Sequence, residues 1–170
     1  MVATRSEKKT SVPMHKTKND LPEVTRSKMV QLGNQLLADV FDLQSQAKQA
    51  HWNVKGMSFI ALHELFDELA GELAVFIDDI AERVTALGGT ALGTVRVAAK
   101  QSRLSEYPLD ITEGKDHVKA LSDSFAKFGS FVRDAIDESE KAGDADSADL
   151  YTGISRQVDK QLWFLEAHIQ

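Results

Sequence analysis

His63 and Asp67 stand four residues apart, and Asp78 and Glu82 repeat that spacing fifteen positions further on. Residues four apart on a helix are neighbours on one face, so each pair presents two donors together. Imidazole nitrogen with carboxylate oxygen, and no thiolate nearby, suits iron(II), manganese or zinc. His51, just before the turn that leads into this segment, supplies a third donor for the His63/Asp67 half. Oxygen donors also accommodate iron(III), which gives such a site the means to cycle iron between its two valences.

One helix cannot close the site alone. The step of eleven residues from Asp67 to Asp78 brings the second pair back to within ~20° of the same face, but ~16 Å further along the axis. The numbers have an internal symmetry, however: positions 63 and 82, and positions 67 and 78, share the midpoint 72.5. Two copies of the helix packed antiparallel about a two-fold axis at that point would set His63 opposite Glu82 and Asp67 opposite Asp78. Gly71, close to the axis, would let the backbones approach. Such an isologous contact makes two identical sites, each drawn from both chains. A His/Asp pair at this spacing also serves as an ordinary solvated helix face; two pairs with a common midpoint and a histidine at the adjoining turn favour the metal.

The elements that would carry these groups are all helical. Asp20, Pro22 and Glu23 read as an N-cap, first turn and capping box, and Leu32, Leu36, Val40, Leu43, Ala47, Ala50 and Val54 follow in helical rhythm to Gly56. A second helix runs from about Ser58 to Leu87 on the stripe Leu62, Phe66, Leu69, Leu73, Phe76, Ile80, Val84 and Leu87, and Gly88-Gly89 stops it. Residues 88–111 form a long connection with one short helical turn near Val95 to Gln101. Asp110 and Glu113 open a third long helix on Val118, Leu121, Phe125, Phe128, Val132 and Ile136. Gly143 ends it, and a fourth follows from about Asp146 on Leu150, Ile154, Val158, Leu162 and Leu165. Two short turns flanking one long crossover describe an all-α, ferritin-like four-helix bundle. Bundles that hold two irons in their own core use Glu-x-x-His on paired helices; this chain contains no such pair. A metal site here belongs between subunits.

Composition narrows the rest. The chain of 170 residues suits one domain. It has no cysteine, hence no disulfide framework, zinc ribbon or thiol chemistry. It has no apolar run that would span a membrane, and its N-terminus lacks the apolar core of a secretory signal; a cytoplasmic location is expected. Residues 1–20 read as a flexible basic arm and 21–170 as the bundle. Arg5, Lys8, Lys9, Lys16 and Lys18 face Glu7 alone over residues 1–18, a surplus of four, while the whole chain carries −6, so the remainder carries −10. Tail and body of opposite sign suit different partners.

The runs QAHWNVKG, FIALHELFDEL, IDDIAERVTALGGTALGT, YPLDI and DKQLWFLEAHI resemble the Dps family, the DNA-binding proteins from starved cells or miniferritins, from about Asn19 to the end. The resemblance implies a hollow dodecamer in which iron(II) is oxidised, preferably by hydrogen peroxide, and kept as ferric mineral. It places the ferroxidase ligands on His51, His63 and Asp67 of one subunit and on Asp78 and Glu82 of its two-fold mate, the arrangement that the midpoints give. Trp52 matches a tryptophan beside the family's iron site, where it takes up stray oxidising equivalents; packing alone also accounts for it. Asp123, Asp144, Asp146 and Asp149 match the region where family aspartates line three-fold pores that admit cations, although aspartates at a helix start also cap it. The basic arm resembles the lysine-bearing extensions of members that condense DNA, which implies non-sequence-specific binding and nucleoid association. A solubilising tail is the alternative. A nucleoid protein that compacts DNA first and binds metal second is the other reading of the whole.

Overall fold

A computed structural model describes residues 13–170 of the chain. Four long helices and one short one make up the fold: α1 (Glu23–Asn53), α2 (Phe59–Ala86), α3 (Val95–Gln101), α4 (Gly114–Ala142) and α5 (Ala145–Glu166). α1 packs mainly on α2 and α4 on α5, the two pairs closing into a bundle, while α3 rides on the crossover against α1. The apolar stripes meet in one core; Leu36, Leu43, Phe66, Leu73, Ile80, Phe125, Phe128 and Val132 have no accessible surface. α1 and α2 approach closely at Gly33, where a Cβ would fall 2.6 Å from Val84 Cγ2.

Two helix starts differ from the sequence expectation. Asp20 does not cap α1. Asn19 Oδ1 instead accepts the Leu21 N–H at 3.0 Å, and the helix begins after Pro22, which offers no capping side chain. Asp110 and Glu113 form no capping box either, and α4 starts with Glu113 as an uncapped N-cap. The cause is local. Lys55 N–H donates to Thr112 O at 3.0 Å, and the Lys55–Glu113 bridge holds the chain extended up to the helix. α5 begins one residue ahead of Asp146, on Asp144, whose side chain accepts from Ser147 N.

The crossover is strapped to α1 by a polar stripe that alone looks like a solvated helix face. Asn34 binds Thr90 O and Leu92 N. Asp39, wholly buried, holds the Arg103 backbone and guanidinium at 2.6–3.1 Å. Asp42 accepts from Ser102 Oγ, and Gln46 donates to Ser105 O. Before α1, Met14 tucks against Met29, Val30, Val84 and Leu87, and His15 N–H donates to Gly88 O at 2.7 Å. Lys16 and Lys18 are exposed; Arg5, Lys8 and Lys9 lie outside the described residues. Among the described residues no helix is long and apolar enough to cross a membrane.

The α4–α5 turn depends on Gly143 at φ +78°, the left-handed region, and on a buried polar knot. Asp144, 1% exposed, accepts from Arg83 at 2.5 Å and from both Ser147 Oγ and N. Arg83 also reaches Asp146, at 3.7 Å and on the surface. Removing a cap together with one partner of a buried ion pair leaves the guanidinium uncompensated. Asp144→Ala is therefore expected to lower stability by about 3 kcal/mol, and Asp146→Ala by no more than about 0.5 kcal/mol. Urea unfolding of the two variants side by side checks the contrast; equal losses would contradict it.

Candidate metal centre

The end of α1 and the first turns of α2 bring His51 and His63 together. Their rings stack with centroids 3.8 Å apart and planes 22° off parallel. His51 Nδ1 lies 2.7 Å from His63 O, and His63 Nδ1 lies 2.8 Å from His51 O. A carbonyl oxygen can only accept, so both Nδ1 atoms carry hydrogen and donate. A neutral ring held this way has its Nε2 free of hydrogen, the atom through which imidazole ligates a metal, and second-shell bonds of this kind fix ring orientation as well. His51, His63 and Asp67 line one open hollow with Ile60, Glu64 and Glu68.

Lys48 on α1 was not anticipated. Its ammonium donates to Asp67 Oδ1 at 2.6 Å and sits 5.6 Å from the centre of the Trp52 ring. That hydrogen bond outweighs an opposing effect of burial and, with lesser contributions from the charges of Lys48, His51 and His63, holds the Asp67 carboxyl below its ordinary range. Lys48 lies three residues before His51, the only hint in sequence that it shares the face.

Asp78 and Glu82 are exposed on α2 and lie apart from this hollow. Helical rise puts Glu82 ~28 Å from His63 along the axis. Among the described residues, no three His, Asp or Glu side chains of a single protomer converge to hold an ion. The face of α2 between the pairs is open: Val75 is 56% exposed, and a Cβ on Gly71 would meet nothing within 4 Å; Ile60, before the first pair, is 60% exposed. Trp52 is 67% exposed at the edge of the hollow.

The four aspartates read as pore residues separate in the structure. Asp144 is the buried cap of α5, its oxygens taken by Arg83 and Ser147, so it presents no charge to a pore. Asp146 and Asp149 are exposed on the first turns of α5. Asp123 is exposed on α4, nineteen residues and ~28 Å of helix before the end that adjoins them; one protomer does not bring it to the same place.

Residues 31–170 match the Ferritin family, ferritin-like domain. The chain is 49% identical over 156 residues to the DNA protection during starvation protein of Agrobacterium fabrum, covering 92% of this chain and 96% of that protein. It belongs to the Dps family. The fold is that of DpsC from Streptomyces coelicolor, at TM-score 0.88 and 30% identity over 92% of each chain. It is also similar to Dps of Vibrio cholerae O1, described as one of a broad superfamily of ferritin-like diiron-carboxylate proteins, at TM-score 0.86 and 26% identity over 94% of this chain and all of that one.

The Lys48 bond gives this half-site a measurable signature. Asp67 is more acidic folded than unfolded, so it contributes stability above the unfolded carboxyl pKa that is lost as pH falls through its folded value. Lys48→Gln is expected to return the Asp67 pKa toward that of an ordinary carboxyl and to shrink this acid-side contribution. A carbon-detected NMR titration of Asp67 in the metal-free protein reads the shift, and an unchanged midpoint would show that Lys48 does not set it.

Proposed function

We propose that this Dps-family chain is a ferroxidase and iron store, oxidising iron(II) at sites shared by two subunits and holding the ferric product inside a hollow dodecamer. The observation that carries this reading is the pair of histidine rings, each tied through Nδ1 to the other's carbonyl and lining one hollow with Asp67, on a helix whose remaining donors, Asp78 and Glu82, mirror His63 and Asp67 about one midpoint. His51, His63 and Asp67 of one subunit with Asp78 and Glu82 of its mate complete each site. The diiron-carboxylate description of the Vibrio cholerae relative favours iron over zinc or manganese as the ion taken.

Iron is the substrate. Carboxylates neutralise the extra charge of iron(III) and so ease the loss of an electron. One hydrogen peroxide takes one electron from each of two ferrous ions and, with two protons from solvent, leaves as two waters, so neither Fenton reagent survives. Lys48 holds the Asp67 carboxylate in place until a cation displaces it. Asp146 and Asp149, exposed beside each other on α5, are the aspartates left to line a cation-admitting pore, where a ring of carboxylates would concentrate ferrous ions.

Complementation between chains tests the shared site. His63→Ala and Glu82→Ala chains are each expected to lose iron(II) oxidation. When they are co-refolded, a mixed dimer rebuilds one intact site of its two, so random mixing restores about a quarter of wild-type activity. His63→Ala mixed with Asp67→Ala should restore none, because both changes strike the same half. Recovery in the second mixture, or none in the first, would refute the two-chain site; stopped-flow ferric absorbance gives the readout.

DNA binding through the arm is the second part of the proposal. It draws on the cations of residues 1–18 and on the kinship with a DNA protection protein. An acidic body cannot hold a polyanion, but many weak arms on one assembly act together. Replacing Arg5, Lys8, Lys9, Lys16 and Lys18 by Gln should abolish the gel shift of duplex DNA at low salt and spare iron oxidation. A retained shift would move DNA binding elsewhere or mark the arm as a solubilising tail.

A further inference from the structure

Ahead of α1, residues 14–21 lie as a strap over the end of the α1–α2 pair. Met14 and Leu21, the apolar side chains at its two ends, both pack against a small cluster of Met29, Val30, Val84 and Leu87. Between them run only polar residues, His15, Lys16, Thr17, Lys18, Asn19 and Asp20. The Leu21 end has further ties: Arg26 Nε donates to Leu21 O at 3.1 Å, and Arg26 Nη1 to Leu87 O at 3.0 Å. The Met14 end has fewer. His15 N–H donates to Gly88 O at 2.7 Å, and His15 Nε2 lies 3.4 Å from Thr90 Oγ1. The approach there is close, since a Cβ on Gly88 would fall 2.6 Å from His15 O. Beyond those contacts, this end is held by the burial of one thioether.

A leucine would fill the same space without a reactive atom. A two-electron oxidant turns methionine into its sulfoxide, a polar group with a strong acceptor oxygen, and so breaks apolar contacts. Three methionines stand among the described residues, and they differ in what oxidation could do. Met29 is 1% exposed and shielded. Met57 is fully exposed and has no burial to lose. Met14 is half-buried, so it alone combines access with an apolar contact that oxidation would break.

We propose that Met14 is a peroxide-sensitive anchor whose oxidation releases the strap at its His15 end. Hydrogen peroxide transfers one oxygen atom to the sulfur. The S–O bond forms as the O–O bond breaks, the sulfur loses two electrons, and the second oxygen leaves as water with both protons. The sulfoxide needs hydrogen bonds that the side chains of Met29, Val30, Val84 and Leu87 cannot supply, so it stays in water and the strap lifts. Lys16 and Lys18 then leave the surface of an acidic body and join the cations that precede them in the chain. Reduction of the sulfoxide by a methionine sulfoxide reductase restores the anchor. What the freed cations do for DNA rests on the arm reading above; the release does not.

The full-length, iron-free protein tests this, with peptide mass spectrometry reading the oxidation of Met14. Trypsin cleavage after Lys16 and Lys18, and deuterium exchange at the His15 amide, are expected to quicken about tenfold once Met14 is oxidised. Both should return to their starting rates after sulfoxide reductase, and both should be fast without peroxide in Met14→Gln. Met14→Leu, which keeps Met57, should stay slow throughout. Unchanged rates in protein whose Met14 is fully oxidised, equal acceleration in Met14→Leu, or a Met14 that stays reduced under peroxide that converts Met57 would overturn the anchor. A gel shift of duplex DNA is read separately on the same samples: release without tighter binding counts against the arm reading and leaves the anchor standing.

Discussion

Two hydrogen bonds between His51 and His63, each ring donating to the other's carbonyl, govern this end of the molecule. They close the turn between α1 and α2 and hold the two imidazoles stacked with both Nδ1 atoms donating. Because the donors are side chains and the acceptors main chain, the geometry is locked to the path of the backbone. That path is in turn locked by the burial of Val54 and Leu62 on either side of the turn. The ligand geometry thus inherits the rigidity of the core, the condition for a preorganised site.

On the proposed two-chain reading, the same logic explains why one protomer would hold only half a site. A straight helix carries its donors at a fixed rise, so the two pairs on α2 cannot meet however the chain folds. The molecule leaves the intervening face open, with Gly71 bare and Val75 exposed, where a core helix would cover it. In one protomer Lys48 satisfies Asp67. A carboxylate already held by a mobile ammonium stays ionised and oriented, yet gives up that partner to a divalent cation more readily than it would a buried arginine. The contrast with Asp144 is instructive. There Arg83 and Ser147 saturate a buried carboxylate, and the result is a cap.

Elsewhere polar groups do structural work that their sequence pattern conceals. Asn34, Asp39, Asp42 and Gln46 on α1 look like the wet side of an amphipathic helix, yet each holds a backbone or side-chain group of the crossover. They replace the apolar contacts that a Gly- and Thr-rich connection cannot provide. His117 and Tyr107 tie the end of that crossover to α4. The strapped crossover therefore reaches from Gly88, where His15 docks, to the neighbourhood of the metal half-site.

Apolar periodicity determined the four long helices and most of the core, because a stripe at helical spacing has one way to be buried; Met29, Leu37 and Tyr151 joined the core from outside those stripes. The donor positions on α2 were legible for the same reason: helix geometry converts residue numbers into directions. What the tertiary structure decided were matters of competition between partners. Thr112 held by Lys55 took the start of α4 from Asp110, and Asn19 displaced Asp20 at the start of α1. Arg83 withdrew Asp144 from the surface, and Lys48 claimed Asp67. Each of these contacts joins groups on different elements, and no local pattern carries information about which element will pack alongside.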